Sequence, residues 1–260
     1  MLNQPTSARV LQSSLLQRKG FRHGFSLRVG GVSQVPFDSL NLGRAVGDEP
    51  EAVEENVQRF RCDVGIDADR MYELSQVHGT IVHIADGSIE PKVFRARQGD
   101  ALVSATPGVA VGARTADCVP VLIGDLHTGA VAAVHAGWRG VLAGVIHTTT
   151  HVLQRLTGTE PATWCAAIGP HIRKCCFEVG NDVAGDFERL STSADLVDHG
   201  FERPHVSLVE FVKAQLAQDG VQAPNIDDVG GCTYCDPARF FSYRRDGARS
   251  GRHLAVIVSR

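Results

Sequence analysis

Two apolar runs lie on either side of a short polar turn near the middle of the chain, and this pattern constrains the fold more than any other. The runs VPVLIGD (119–125) and GAVAAVH (129–135) flank the turn residues 125–128 and predict a β-hairpin. Pairing Gly124 with Gly129 across the turn places Cys118 opposite His135 at the open end of the hairpin. Directly opposed residues hold their Cβ atoms about 4.5–5.5 Å apart.

The remaining segments predict a mixture of strands and helices. Strands are expected at 21–31, at 71–85 with a break near Gly79, at 100–105, at 109–116 and at 163–170, and a final pair joins 240–245 to 253–259 across a turn. Helices are expected after Asp48, which stands where an N-cap would, and over 137–156 and 207–220. No linker divides the chain, so residues 1–260 are predicted to form a single α+β domain.

Charge balance and apolar content exclude several classes of protein. Lys and Arg number 26 and Asp and Glu number 29, and this net charge of −3 argues against a nucleic-acid binder that relies on bulk positive charge. No apolar run approaches the ~20 residues that span a bilayer, and the N-terminal segment lacks the apolar stretch of a signal peptide. The seven cysteines are an odd number, so reduced thiols, a cytoplasmic location and no membrane partner are predicted.

Cys118 and His135 carry the strongest chemical signal. Each lies where a strand meets a turn that contains Gly or Pro, and a thiolate and an imidazole this close together can share a zinc ion, with Zn–S ~2.3 Å and Zn–N ~2.0–2.1 Å. A third protein ligand would leave one position open for water, as in catalytic zinc sites. His78, which ends a strand at a glycine, is the best candidate, although spacing alone does not separate it from His83 or His171.

Six blocks of the sequence resemble the bacterial laccase-domain family, whose members are often called polyphenol oxidases. The blocks are FSLRVGGVSQVPFDSLNLGRAVGD (25–48), SQVHGT (75–80), TADCVPVLIGD (115–125), AAVHAGWRG (132–140), AAIGPHIRKCCFEVG (166–180) and CTYCDPARFFSYRRDG (232–247). The resemblance implies two packed mixed β-sheets with helices on the outside, an α/β/β/α-like sandwich. It also implies that His78, Cys118 and His135 bind a metal ion, normally Zn²⁺.

Members of that family are described as purine nucleoside phosphorylases with adenosine deaminase activity, and some as peptidoglycan-editing factors. The resemblance therefore implies a zinc-dependent enzyme that phosphorolyses adenosine, inosine, guanosine and 5′-methylthioadenosine and deaminates adenosine. Its partners would be purine nucleosides and phosphate. A zinc-bound water with a pKa of ~7 suits the deamination step. A role in editing peptidoglycan precursors stays open, and no pattern predicts an oligomeric state.

Further residues are candidates for contact with the substrate. A guanidinium binds phosphate well because it is a bidentate donor. Four arginines lie in the family-like blocks beside glycines or aromatic residues: Arg28, Arg139, Arg244 and Arg245. Of these, Arg28, Arg139 and Arg244 are the candidates for contact with phosphate or nucleoside. Asn41 and Gln76 are candidates for reading a base or ribose edge. Asp117, next to Cys118, is expected to act as an acid or base or to support the neighbouring ligand.

Three other interpretations of the same residues stay open. Cys118 is also a candidate nucleophile of a cysteine hydrolase with His135 as its base, and such an enzyme would work after metal removal. A binding module with a structural zinc would show a fourth protein ligand. A multicopper oxidase needs a blue-copper site and many clustered histidines. The chain has two methionines and no His-x-His pair, so Cu²⁺ is expected only as incidental loading in vitro.

The remaining cysteines carry a weaker signal. Cys232 and Cys235 form a C-x-x-C motif, which is half of a zinc site. Cys175 and Cys176 are adjacent, and adjacent residues of a strand point to opposite faces. Cys175 and Cys176 are therefore predicted to be a poor second half of a zinc site. A structural or redox-silent role is favoured over a second metal site.

Overall fold

Two β-sheets, packed face to face, form the centre of the fold. The computed structural model describes residues 9–67, 70–190 and 196–260. The smaller sheet contains, in spatial order, β1 (Val10–Leu11), β2 (His23–Ser26), β13 (His253–Val258), β6 (Ala110–Thr115) and β3 (Met71–Tyr72). The larger sheet contains β12 (Ile226–Asp228), β9 (Trp164–Ile168), β7 (Val119–Asp125), β8 (Val131–Ala136), β5 (Ala101–Ser104) and β4 (Val82–Ile84). A separate hairpin pairs β10 (Val197–Asp198) with β11 (His205–Val206).

Helices cover the outer faces of both sheets. The helices of the described residues are α1 (Ser14–Arg18), α2 (Pro50–Val64), α3 (Pro91–Phe94), α4 (Trp138–Leu142), α5 (Val145–Thr157), α6 (Asn181–Leu190), α7 (Leu208–Gln218) and α8 (Tyr243–Asp246). Of these, α1 and α3 pack against the edge of the core between the sheets. The α2 helix packs on the smaller sheet, and α4 to α7 pack on the larger one. This layer order confirms the predicted sandwich. Among the helices of the described residues, none has the length and apolar character needed to cross a bilayer.

Strand alternation decides which core each side chain joins. Leu122 of β7 and Ala133 of β8 point between the sheets, where they pack with Phe25 and Ile257 of the smaller sheet. Val121, one position along β7, joins the core beneath the helices. Full burial of one such aliphatic side chain contributes about 1.5–3 kcal/mol. Both faces of β7 are covered, which explains why its sequence is a continuous apolar run.

The central hairpin forms as predicted, but its register differs by two positions. Gly124 pairs with Val131, and Pro120 pairs with His135. The predicted pairing, which set Cys118 directly opposite His135, is therefore wrong. Because side chains alternate with a period of two, a shift of two residues keeps both side chains on the face that was expected.

The turn explains the shift in register. Asp125 stays in the ladder, where its backbone N–H donates to the carbonyl of Ala130 at 2.8 Å. Its carboxylate accepts hydrogen bonds from the backbone N–H of His127 and the hydroxyl of Thr128. Gly129 closes the loop with φ +80°, a left-handed conformation that favours glycine. The loop thus occupies residues 126–129, one position later than predicted.

Two predicted helix boundaries also differ from the structure. The segment 137–156 forms two helices, α4 and α5, because Gly144 between them has φ +81° and interrupts the α-helical conformation. The α2 helix begins at Pro50 with Glu49 as its N-cap, not Asp48. The Asp48 carboxylate instead accepts a hydrogen bond from the Asn41 side chain at 2.8 Å across the preceding loop.

The predicted pairing of 240–245 with 253–259 is wrong. The β13 strand pairs antiparallel with β2 and β6, while residues 243–246 form α8. The Ser242 hydroxyl caps this short helix by accepting the backbone N–H of Arg245 at 3.2 Å. The segment still lies beside β13, because the backbone N–H of Phe241 donates to His253 Nε2 at 2.8 Å.

A buried carboxylate and four arginines form a charged cluster at the outer side of the smaller sheet. The arginines are Arg44, Arg61, Arg95 and Arg114. Glu73, 2% exposed, lies 2.6 Å from the nearest guanidinium nitrogen of Arg114. Arg44 also pairs with Glu54. Burial lowers the pKa of Arg44 to about 10; Glu73 opposes this shift and the other guanidiniums add to it. With four cations and two anions, the cluster is positive.

Candidate metal centre

Three side chains from separate parts of the chain meet beside the open end of the central hairpin. His78 lies in the loop between β3 and β4, Cys118 directly precedes β7, and His135 is on β8. Their ligand atoms all lie within 4.8 Å of one another. Cys118 Sγ is 3.8 Å from His78 Nε2, and the two imidazole rings are 4.7 Å apart and nearly perpendicular. The structure thus brings together the three residues predicted as ligands, while His83 and His171 lie outside the group.

A buried carboxylate holds the loop that carries His78. Asp100 accepts hydrogen bonds from the backbone N–H groups of Val77, His78 and Gly79, at distances of 3.2, 2.9 and 2.7 Å. His78 has φ +60°, a left-handed conformation that few residues other than glycine adopt. Three donors directed at one carboxylate stabilise this tight turn, and the turn presents the His78 ring to Cys118.

The same carboxylate orients His135. The Nδ1–H of His135 donates to Asp100 Oδ1 at 2.8 Å, and its backbone N–H donates to the Asp100 carbonyl at 2.8 Å. Both residues are buried. A proton on Nδ1 leaves the lone pair on Nε2, which is the arrangement that supporting carboxylates impose on metal-binding histidines. The sequence signal for Asp100 is weak, since it is only an acidic residue directly before the buried strand β5.

Electrostatic interactions favour a charged sulfur in this group. Burial raises the pKa of Cys118, but the charge of His135 and hydrogen bonds with both histidines outweigh that effect and lower it to about 6. Burial lowers the pKa of His135, whereas the Cys118 thiolate and Asp100 raise it to about 9. Without an ion, the pair is therefore a thiolate and an imidazolium near neutral pH. The thiolate is both the metal-binding and the nucleophilic form of cysteine.

Gly137 provides the space in which the three side chains approach one another. A Cβ atom at this position would lie 2.7 Å from His78 Cδ2 and 3.3 Å from Cys118 Sγ. The backbone φ of Gly137 is −72°, which any residue adopts. The position therefore requires glycine for space rather than for backbone conformation.

The donor set fits a zinc ion. One thiolate and two imidazoles are preferred zinc ligands, and three protein ligands leave a position for water or substrate. No fourth His, Cys, Asp or Glu joins the group among the residues that the structure describes. His78 is exposed whereas His135 is buried, so the open side faces solvent near His78. Ligation by His135 requires the loss of its Nε2 proton, and metal affinity will therefore depend on pH.

Asp117 lies beside the centre with its carboxylate turned to two other loops. One oxygen accepts a hydrogen bond from the Thr233 hydroxyl at 2.6 Å, and the other accepts the backbone N–H of Arg244 at 2.6 Å. The backbone of Asp117 has φ +93°, a strained conformation of the kind that clusters at functional sites. Two roles were predicted for Asp117: acid or base, and support of the neighbouring ligand Cys118. These contacts favour the second role.

The three predicted phosphate-binding arginines differ in their availability. The Arg28 guanidinium donates to the Asp38 carboxylate at 3.0 Å, and Arg244 Nη1 donates to the carbonyl of Glu178 at 2.8 Å. Arg139 is exposed on α4, and none of the described residues forms an ion pair with it. The Arg139 guanidinium instead lies over the Trp138 ring, 4.3 Å from its centroid, while Arg28 and Arg244 hold loops together.

The two predicted amide contacts are also engaged within the fold. Asn41 is fully buried; it donates to Asp48 at 2.8 Å and accepts the backbone N–H of Arg252 at 2.9 Å. Gln76 bonds both the backbone N–H and the carbonyl of Arg114, each at 2.7 Å. In this structure, both side chains fasten the loops and the strand that surround the centre.

A further arginine, Arg252, borders the centre and was not among the predicted residues. It directly precedes β13 and donates from Nη1 to the carbonyls of Ser250 and Gly251 at 2.8 and 3.0 Å. Burial lowers its pKa, and the neighbouring negative charges of Cys118 and Asp117 oppose that shift. The fold therefore places a positive charge next to the thiolate. Its sequence context, a lone arginine before a strand, offered little signal.

The chain matches the model of a protein family described as multi-copper polyphenol oxidoreductase laccase over residues 22–260. It belongs to this family. Among its relatives, a purine nucleoside phosphorylase of Pseudomonas aeruginosa is 42% identical over 237 residues, which cover 88% of this chain and 90% of the relative. The purine nucleoside phosphorylase YfiH of Escherichia coli is 38% identical over 243 residues, which cover 93% of this chain and 95% of that protein.

Solved structures of similar proteins share the fold. The crystal structure of YlmD from Geobacillus stearothermophilus superimposes with a TM-score of 0.91 at 30% identity, and the match covers 99% of this chain and 98% of YlmD. The crystal structure of the hypothetical protein YfiH from Bacillus licheniformis also gives a TM-score of 0.91, at 27% identity and with the same coverage.

Among the residues that the structure describes, no side-chain cluster fits the multi-copper description of the family. Two groups of three or more potential metal ligands occur there: the His78, Cys118 and His135 group, and a group made entirely of cysteines. Neither has the many histidines that a trinuclear copper cluster requires.

Proposed function

We propose that this protein is a zinc-dependent enzyme that phosphorolyses adenosine, inosine, guanosine and 5′-methylthioadenosine and deaminates adenosine. The observation that carries the proposal is the convergence of Cys118, His78 and His135 within 4.8 Å, with Asp100 orienting His135 from behind. The substrate class is supported by relatives named purine nucleoside phosphorylases, which are 38–42% identical across nearly the whole chain.

The residues around the centre have separate tasks in this proposal. Cys118, His78 and His135 would hold the zinc ion, which when bound supplies a Lewis acid and lowers the pKa of a water molecule. Asp100 keeps His135 Nε2 directed at the centre. Arg252 contributes positive charge beside the thiolate, which suits the binding of a phosphate group.

The two reactions make different demands on this pocket. Phosphorolysis joins a phosphate oxygen to C1′ of the sugar and releases the free base, so it needs a bound phosphate next to the nucleoside. Deamination adds water at C6 of adenosine and releases ammonia, so it needs a base that removes a proton from water. The candidates for the phosphate contact are Arg139, which is exposed on α4, and Arg252, whose charge interacts with that of Cys118.

Product analysis with separated co-substrates tests the proposal. Zinc-loaded protein is incubated with each nucleoside, with and without phosphate, and the products are separated by chromatography. We expect free base and pentose 1-phosphate only when phosphate is present, and inosine with ammonia from adenosine without phosphate. Cys118→Ala protein, purified identically, controls for contaminating host enzymes. If no base, sugar phosphate or inosine forms beyond that control, the proposed function is wrong.

A cysteine hydrolase is the second candidate, because Cys118, His135 and Asp100 form a connected series with the composition of a catalytic triad. His78, 3.8 Å from the sulfur, has no task in a triad but is a ligand in a metal centre. Hydrolase activity that survives chelation and disappears after alkylation of Cys118 would favour this candidate. Two alternatives remain, a polyphenol oxidase and an enzyme that edits peptidoglycan precursors. They are tested on the same preparation by measuring phenol oxidation after copper loading and cleavage of peptidoglycan precursors.

A further inference from the structure

Four cysteines form a second cluster, outside the centre described above: Cys175, Cys176, Cys232 and Cys235. All four sulfur atoms lie within 4.8 Å of one another, and all four are free thiols. We propose that this four-cysteine cluster is a second metal site, which binds one zinc ion through four thiolates and fastens the loop after β12 to the body of the protein.

The sulfur spacing fits a single tetrahedral ion. The distances are 3.2 Å between Cys176 and Cys235, 3.6 Å between Cys175 and Cys176, 3.7 Å between Cys175 and Cys235 and 3.8 Å between Cys175 and Cys232. A tetrahedron with Zn–S of ~2.3 Å has edges of about 3.8 Å. Clusters of several irons hold their cysteines further apart, because the sulfurs bind different metal atoms. Tetrahedral S₄ coordination is typical of zinc in proteins.

The fold brings the two cysteine pairs together. β9 and β12 are parallel neighbours, so their carboxyl ends lie at the same edge of the sheet, and each pair follows one of these strands. A bridge between His171 and Cys232 continues the pairing beyond the strands. The expectation that Cys175 and Cys176 point apart assumed a strand. They lie in a turn, in which the backbone N–H of Cys176 donates to the carbonyl of Arg173 at 2.9 Å.

The backbone around Cys232 is arranged to receive a thiolate. The backbone N–H groups of Tyr234 and Cys235, within the C-x-x-C turn, and of Arg173 favour a charged sulfur at this position. Backbone donors of this kind support metal-bound ligands from outside the coordination shell. The Arg173 guanidinium is not available for the sulfurs, because it pairs with the Asp228 carboxylate at 2.8 and 2.5 Å. A zinc ion bound by all four sulfurs would offset two of the four thiolate charges.

The C-x-x-C turn also contacts the centre that contains Cys118. Thr233, inside the turn, donates its hydroxyl hydrogen to Asp117, the residue before Cys118. Arg245 Nη1 donates to the carbonyls of Thr233 and Tyr234 at 2.8 and 3.1 Å. Four protein ligands leave no open coordination position, so the ion in the four-cysteine cluster would be structural. It would fix the turn from which Thr233 holds Asp117.

Counting metal in matched variants tests the proposal. Zinc per chain is measured in wild type, in His135→Ala, in Cys232→Ser/Cys235→Ser and in the triple variant. We expect two, one, one and none, and two in the control Cys62→Ser, which removes an exposed cysteine of α2 outside both clusters. The design separates the two sites: if only the four-cysteine cluster binds zinc, His135→Ala retains the wild-type content while Cys232→Ser/Cys235→Ser loses it.

Two measurements keep the test valid if the double variant fails to fold. Cobalt loaded into His135→Ala is expected to show tetrahedral d–d bands with intense sulfur-to-cobalt charge transfer. In folded wild type, mild chelation first empties the site that contains His135. Titration of the thiols with a mercurial reagent is then expected to release the remaining zinc ion. The proposal is overturned if His135→Ala contains no zinc and no thiolate-bound cobalt, or if protein purified without oxygen has these cysteines in disulfide bonds.

Discussion

The two thiolate clusters of this protein would hold the same ion in opposite ways. The His78, Cys118 and His135 group draws its donors from three distant segments, has a buried carboxylate behind one ligand and offers three donors. The four-cysteine cluster draws two pairs from the ends of neighbouring strands, has backbone N–H groups near Cys232 and offers four donors. A catalytic metal ion and a structural metal ion therefore differ in the number of protein ligands and in the groups that hydrogen-bond to those ligands.

Replacing Cys118 should abolish catalysis and so distinguish the open site from the four-cysteine cluster. Cys118→Ala removes a ligand of the open site, so turnover of nucleosides should fall to the background rate, more than the roughly 10–100-fold that loss of an outer partner costs. The melting temperature should change little, because the four-cysteine cluster remains intact. Steady-state rates and thermal denaturation measure the two effects. Cys62→Ser should match wild type in both, and unimpaired turnover in Cys118→Ala would place the chemistry elsewhere.

Thiol reactivity in metal-free protein should differ sharply between the clusters. The pKa of Cys118 is lowered to about 6, whereas burial raises the pKa of Cys175 to about 11. At pH 7 about 90% of Cys118 but only about 3% of an ordinary thiol is thiolate. Cys118 should therefore react with iodoacetamide roughly threefold faster than an ordinary thiol of equal access, because a thiolate of low pKa is a weaker nucleophile, and the rate should fall as the pH drops through 6. Peptide mapping by mass spectrometry after chelation measures each site. A midpoint near 9 for Cys118 would contradict the thiolate–imidazolium pair.

Asp100→Asn tests how much Asp100 contributes to the open site through its contacts with His135 and the loop of His78. The amide retains the shape of the side chain but loses the charge. Asp100 accepts from His135 and His78 through Oδ1 and from Gly79 through Oδ2, and asparagine has only one acceptor oxygen. We expect metal affinity and turnover to drop by roughly 10–100-fold. The free energy of unfolding should decrease by about 1–3 kcal/mol, because a buried donor loses its partner. Asp86→Asn, at an exposed position near β4, is the matched control and should change neither quantity.

Gly137→Ala should give the smallest change and test how tightly the open site is packed. The added methyl group would approach His78 Cδ2 to 2.7 Å, so the ring must move. We expect zinc affinity to fall severalfold without loss of folding, because the backbone conformation suits alanine. Competition with a chromophoric chelator measures the affinity. Gly185→Ala, on the open surface of α6, should leave it unchanged; a normal affinity in Gly137→Ala would mean that the loop of His78 adjusts freely.

The sequence predicts the parts of this molecule that depend on local pattern. The apolar runs of β7 and β8 are long and bounded by turn residues, so the hairpin is evident, and family resemblance supplies the sandwich and the three candidate ligands. The register of the hairpin is not evident, because it depends on the Asp125 carboxylate accepting hydrogen bonds within the turn. The register error is two residues, and strand side chains alternate with a period of two. Cys118 and His135 are therefore still on the same face.

Features that depend on contacts between distant segments escape sequence reasoning. Asp100 is an unremarkable acidic residue until the loop of His78 folds over it. The four-cysteine cluster exists because β12 pairs with β9, more than fifty residues earlier in the chain. Strand β13 pairs with β2 and β6, which are distant in sequence, rather than with the apolar segment that precedes it, and it becomes the central strand of the smaller sheet.

The positive cluster around Glu73 has a consequence for how substrate binding can be measured. Four guanidiniums share two carboxylates there, and such an excess of positive charge attracts multivalent anions. Phosphate in a buffer should therefore raise the melting temperature whether or not it enters the pocket beside Cys118. Sulfate takes no part in phosphorolysis, so the shift that it produces gives the size of this bystander contribution.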